Sequence, residues 1–96
     1  MTHEHDNSDL DMTFASDPDL SLVARGIYAL LLTKDPESWS LSVDALRAEV
    51  PEGRTLISSG LAQLKQRGYV EHYQVRGKRH LEWRWRLNPK RHAEVA

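Results

Sequence analysis

The chain has 96 residues, 40% of them hydrophobic and 28% charged, with no cysteine and a formal net charge of −1. These values suit one soluble domain of modest core, and the missing thiols exclude disulfides and thiolate metal sites, so a reducing cytoplasm is the expected home. The longest apolar run, Ile27 to Leu32, is too short to span a bilayer, and the acidic N-terminus lacks the apolar core of a secretory signal.

Residues 1–16 are acidic and polar without sustained periodicity, and they are expected to form a disordered tail. His3 and His5 are too sparse a pair to make a metal site. Leu10, Met12 and Phe14 alternate with polar residues, a pattern that also suits a short strand or packing of the end of the tail on the body. A single domain is expected over residues 17–88, followed by a basic tail over residues 89–96.

Asp17-Pro18-Asp19-Leu20-Ser21 reads as a turn leading into a helix, with Ser21 as its N-cap. That helix is expected over Leu22 to Leu32, with Val23, Ile27, Leu30 and Leu31 on its core face. Leu22, Tyr28, Ala29 and Leu32 are apolar elsewhere around the wheel, so the helix must be enclosed by the domain or covered by a second subunit. A homodimer is the expectation that follows. Pro36 breaks a loop, Trp39-Ser40-Leu41 has the composition of a short strand, and Ser42 is placed to cap a second helix, Val43 to Val50. In that helix Val43, Leu46 and Val50 point inward.

After Pro51-Glu52-Gly53 comes a third helix, expected over residues 54–67. Ile57, Leu61 and Leu64 form its apolar stripe, and Gly68 stands just past the end, where a helix stop needs φ > 0. Its other face carries Thr55, Ser58, Ser59, Ala62 and Gln66, small or uncharged, and the helix has no acid. A solvated face more often carries Glu and Lys in i,i+4 pairs. A small polar face suits a helix lying in the major groove, although a Ser-rich surface helix has the same composition.

Beyond Gly68 the period changes from 3.6 to 2. Tyr69 to Val75 and Leu81 to Leu87 read as two strands joined by the basic tip Arg76-Gly77-Lys78-Arg79-His80. The Trp and Tyr residues of this hairpin are expected in the core rather than as a base-stacking platform. Charge divides along the chain. Residues 1–20 hold six acids and no Lys or Arg, whereas residues 54–92 hold ten bases and two acids. That asymmetry points to a nucleic-acid surface accompanied by an acidic tail.

Helix, short strand, helix, turn, helix and hairpin is the order of the winged helix-turn-helix, an α+β fold of three helices plus a β-hairpin wing. Asp19-Leu20-Ser21, Ala24, Gly26, Leu30-Leu31, Trp39, Leu46, Gly53-Arg54, Leu61, Leu64 and Gly68-Tyr69 together resemble the small bacterial domains of this kind. Such domains occur as short regulators in actinobacteria and as N-terminal domains of phage and plasmid replication organisers. The resemblance covers roughly residues 17–87. It implies a sequence-specific protein for double-stranded DNA, a small transcriptional regulator, with helix 54–67 in the major groove. Arg54, Thr55, Ser58 and Ser59 would lie near bases and phosphates, with Gln63 or Gln66 beside them. The wing at residues 76–80 would bring Arg76, Lys78 and Arg79 to the backbone or minor groove, while Arg84 and Arg86 line the exposed side of the hairpin. The alternative is a winged helix used for protein contact, as in a replication or phage accessory protein or a DNA-mimicking antagonist. No catalytic constellation, phosphate loop, cofactor motif or His-x-x-x-His metal pair is expected.

Overall fold

The computed structural model describes residues 12–88. The acidic segment before Met12 and the basic tail at residues 89–96 lie outside the described residues. A 3-10 helix over Thr13–Ser16 precedes α1 (Leu22–Leu31), α2 (Val43–Arg47), α3 (Arg54–Gln66) and an antiparallel hairpin of β1 (Val70–Arg76) and β2 (Leu81–Leu87). The described residues are thus α+β, with three α-helices and a two-stranded sheet. Among the described residues no helix is long and apolar enough to cross a membrane.

Capping explains where the helices begin. Ser21 Oγ accepts from the Ala24 amide at 3.0 Å, and Ser42 Oγ accepts from the Ala45 amide at 3.0 Å, each satisfying an amide of a first turn. The N-cap amide of α1 is satisfied from another element: Ser21 N–H donates to Gln63 Oε1 of α3 at 2.8 Å. Within one helix, a Glu or Gln three residues after the cap would fill this role. Here it joins α1 to α3.

The end of α3 is a Schellman stop. Tyr69 N–H donates to the Leu64 carbonyl at 2.9 Å, Gly68 N–H to that of Lys65 at 3.2 Å, and Gly68 has φ of 84°. Leu64 and Tyr69, the apolar pair that accompanies such a stop, are both fully buried. The hairpin therefore starts on the residue that ends the helix, and the Asn88 amide donates to the Tyr69 carbonyl at 2.8 Å to close its base.

The core gathers Ala24, Ile27, Tyr28 and Leu31 of α1, Leu46 of α2, Ile57, Leu61 and Leu64 of α3, and Tyr69, Val70 and Trp85 of the hairpin. Helices α1 and α3 meet at Gly60, where an added Cβ would stand 2.9 Å from Ile27 Cδ1 and 3.2 Å from the Ala24 backbone nitrogen. A glycine inside a helix costs about 1 kcal/mol relative to alanine, and here it permits close approach of the two backbones.

Several expectations are corrected. The end of the supposed tail is ordered: Phe14 is buried, its ring 4.6 Å from that of Tyr28, which in turn meets Tyr69 edge-on at 5.4 Å. Tyr28 is therefore a core residue, drawn inward by a partner from the 3-10 helix. Helix α2 stops at Arg47, with Val43 and Val50 only partly buried. Trp39-Ser40-Leu41 forms no strand, because the Trp39 carbonyl is taken by the Trp85 indole N–H at 2.7 Å instead of a ladder partner. Of the hairpin aromatics Tyr69 and Trp85 are core, but Trp83 is 61% exposed and Tyr73 is also exposed.

Candidate functional site

The register of the hairpin sorts its side chains. Val70↔Leu87, His72↔Trp85, Gln74↔Trp83 and Arg76↔Leu81 share one face, while Glu71↔Arg86, Tyr73↔Arg84 and Val75↔Glu82 share the other. On the second face each acid has a cation. Arg86 Nε donates to Glu71 at 2.6 Å and lies over the Tyr73 ring, and Arg84 pairs with Glu82 at 3.1 Å. Glu71, by hydrogen bond and charge, holds the Arg86 pKa above its ordinary value. Arg84 and Arg86 thus line a face whose charges cancel.

The first face carries no acid. Near its base Trp85 packs edge-on against Trp39 at 5.9 Å, and farther out the His72 ring lies 4.7 Å from Trp83. Burial, and then the positive charge of Lys65 on α3, lower the pKa of His72 below 6.5. The last turn of α3 lies near the base of β1, because only the Gly68-Tyr69 stop separates them.

On α3, Thr55, Ser58, Ser59 and Ala62 are all exposed, as the polar pattern predicts. Thr55, Ser58, Ala62 and Lys65 are spaced by three, four and three residues, so they form one stripe that runs toward His72. Gly53 is the N-cap of α3 and offers no side chain, so no cap side chain accepts from the first-turn N–H groups. Arg54 stands in this turn, but its guanidinium is paired with Asp44 of α2. Gln63 does not join the outer stripe, because its amide oxygen is held by the Ser21 N–H toward α1.

Arg76, Lys78 and Arg79 line a concave turn, where Gly77 N–H donates to the His80 carbonyl at 2.8 Å. None of these three, nor Lys65, has an acidic partner among the described residues. Arg67 differs, because it pairs with Asp19 at 3.0 Å and stands 3.8 Å from Asp17. Within α3 and the hairpin, the cations without an acidic partner therefore lie at the C-terminal end of the helix and at the tip, while Arg54 at the N-terminal end is paired; Arg25 and Arg47, elsewhere in the domain, also lack a carboxylate partner among the described residues. Lys65 is a site residue that the polar pattern alone did not single out, although its spacing from Ser58 and Ala62 places it on the outer stripe. Nothing in the alternating pattern of β2 marked Trp83 as exposed. Among the described residues no cluster of His, Asp or Glu could hold a metal ion.

The chain matches no known protein family, no curated protein and no solved structure.

Proposed function

We propose that the chain is a winged helix-turn-helix protein that binds double-stranded DNA as a small transcriptional regulator, acting by binding rather than catalysis. One observation carries this reading. An acid-free outer stripe on α3 leads to four cations, Lys65, Arg76, Lys78 and Arg79, that have no acidic partner among the described residues. Small side chains let a helix approach base edges, and unpaired cations at a helix end and a hairpin tip are placed to neutralise phosphates. The first turn of α3, which has no N-cap side-chain acceptor, supports the same reading, since amides at a helix start donate to a phosphate. Thr55, Ser58 and Ser59 would face the groove, with Arg54 entering only after release from Asp44.

The test is binding of the full chain to duplex DNA over a range of salt. Four phosphate contacts give a slope of log K against log salt near −3.6, or roughly a 100-fold loss between ~50 and ~200 mM. Absent binding at ~50 mM, or binding indifferent to salt, rejects the reading.

A separate observation favours contact with protein. Between α1 and α2 lies an apolar groove of about 250 Å³ lined by Leu22, Val23, Gly26, Leu30 and Val50 among others, with Leu22 80% exposed. The domain covers Tyr28 itself but leaves this groove open. We assign it to a second copy of the chain, giving a two-fold dimer and a palindromic site with half-sites about one helical turn apart. A monomer mass by sedimentation at tens of micromolar, unchanged when DNA is added, removes the dimer.

A further inference from the structure

Trp83 and Trp85 stand two residues apart on the same face of the same strand, yet Trp85 is 3% exposed and Trp83 is 61% exposed. The body covers the base of the hairpin and stops. Past that limit the first face continues with Trp83, its cross-strand partner Gln74, and the terminal pair Arg76 and Leu81, the last also exposed.

The chemistry of this outer half is uneven in an informative way. A large ring is open to solvent and is steadied by the His72 ring at 4.7 Å. Arg76 stands on the same face and Lys65 in the last turn of the helix that leads into β1, while Glu71 and Glu82 lie on the opposite face with their arginines, Glu82 also reaching Gly77 at the tip. The surface therefore attracts an anion and offers a flat π face. A second copy of the chain would need about 800 Å² from each partner for a stable contact, far more than two exposed apolar side chains supply. An acidic peptide matches the charge but brings a ring only where an aromatic residue happens to stand among its acids. A nucleic acid whose base has left the stack matches both.

We infer that the outer half of this hairpin face is a stacking platform for one unpaired nucleobase, with Trp83 as the ring and Arg76 and Lys65 as contacts for the flanking phosphates. The inference rests on the nucleic-acid reading above and extends it from paired DNA to sites where a base is displaced, bulged or single-stranded. Stacking on an aromatic ring is tolerant of sequence, because every base has a π face. The platform thus selects the structure of the nucleic acid, whereas the α3 stripe faces paired base edges.

The test compares the full-length chain with Trp83→Ala and Trp83→Phe on three probes: a short duplex, the same duplex with one central unpaired nucleotide, and one of its strands alone. Trp83→Ala should lose about 5- to 150-fold affinity for the two probes with an unpaired base, and less than about twofold for the paired duplex. Trp83→Phe should keep most of the affinity. Single strand should quench the tryptophan emission of the wild-type chain, and this quenching should vanish in Trp83→Ala. Since the side chain is mostly exposed, both variants should keep the wild-type melting midpoint. An equal loss on all three probes, or no loss on any, overturns the platform and leaves duplex binding standing. Binding of oligoglutamate with the same dependence on Trp83 also overturns it, in favour of an acidic protein segment. If the wild-type chain binds none of the three probes, the platform and the DNA reading fall together.

Discussion

Tyr69 and Asp17, 52 positions apart, are joined by a buried hydrogen bond: the phenol donates to Asp17 Oδ2 at 2.8 Å. Asp17 is 6% exposed, and its Oδ1 accepts from the Asp19 amide while its backbone carbonyl accepts from Arg25. One aspartate thus ties the segment before α1 to the residue that ends α3. Tyr69→Phe removes one donor to a buried carboxylate, which costs about 1–3 kcal/mol. Urea unfolding should show a lower midpoint with an unchanged slope. An unchanged midpoint would mean that solvent already satisfies the carboxylate.

Gly60 and Gly26 should respond in opposite directions to alanine. At Gly26 nothing lies within 4 Å of an added Cβ, so Gly26→Ala should stabilise by about 0.5–1 kcal/mol through helix propensity. At Gly60 the methyl would press on Ile27 and the backbone of Ala24, and overpacking of about 1–3 kcal/mol should exceed the propensity gain. Thermal melts that rise for Gly26→Ala and fall for Gly60→Ala are the expected result. A rise for both would show that α1 can shift away from α3 at little cost.

Asp44 restrains Arg54. The pair is exposed on both sides and contributes little to stability, between about 0 and 1 kcal/mol. Asp44→Asn should therefore leave the fold intact, free the arginine and tighten binding to duplex DNA. Arg54→Ala should weaken a cognate site by about 1–3 kcal/mol if the freed side chain reads a base. Arg79→Ala should weaken all sequences alike and reduce the salt slope by about one. Sequence-blind losses from both arginines would make Arg54 a phosphate contact only.

His72 should titrate below 6.5, from burial first and the charge of Lys65 second. Replacing Lys65 by Gln should move the midpoint upward only in part, because the larger cause remains. With the folded value depressed, the unfolded chain takes up the proton first. Stability is therefore retained above pH 6.5 and lost as pH falls below it. NMR titration of the imidazole checks the midpoint, and His72→Gln should flatten the stability profile in that range. A midpoint at or above 6.5 would contradict the burial of the ring.

A deletion that tests the acidic N-terminal segment must stop before Met12, because Phe14 is core. Residues 1–11 carry four acids and no Lys or Arg, whereas Asp17 and Asp19 are engaged within the domain. A tethered polyanion competes with DNA at an effective concentration in the millimolar range. Deleting residues 1–11 should tighten binding to random duplex at ~50 mM salt, with a smaller gain at ~200 mM. Equal affinities at low salt would leave the segment only a solubilising role.

What the sequence announced was set by local chemistry. Ser21 and Ser42 cap as their positions suggest, Gly68 ends α3 with positive φ, and the alternation of β2 marks Leu81–Leu87. What it concealed depends on distant partners. The alternation of Phe14 with Leu10 and Met12 suits packing on the body, but nothing in it names Tyr28 as the partner. Gln63 looks like a flanking polar residue until the N-cap of α1 is seen beside it. Alternation reports which face Trp83 occupies but not that the body ends before reaching it. At the candidate site, the acid-free stripe of α3 and the basic tip were legible. The neutralisation of Arg54 was not, because Asp44 lies in a different helix.

Tyr69 is at once the residue after the α3 stop, the acceptor that closes the base of the hairpin and the donor to Asp17. Three constraints on one residue tie the end of the helix to the base of the hairpin. A nucleic acid bound as proposed above and meeting both surfaces would then have to bend or twist to suit, so the energetic cost of fitting would fall on the ligand. The junction would in that case rank sequences by how readily they deform, including base steps that no side chain touches.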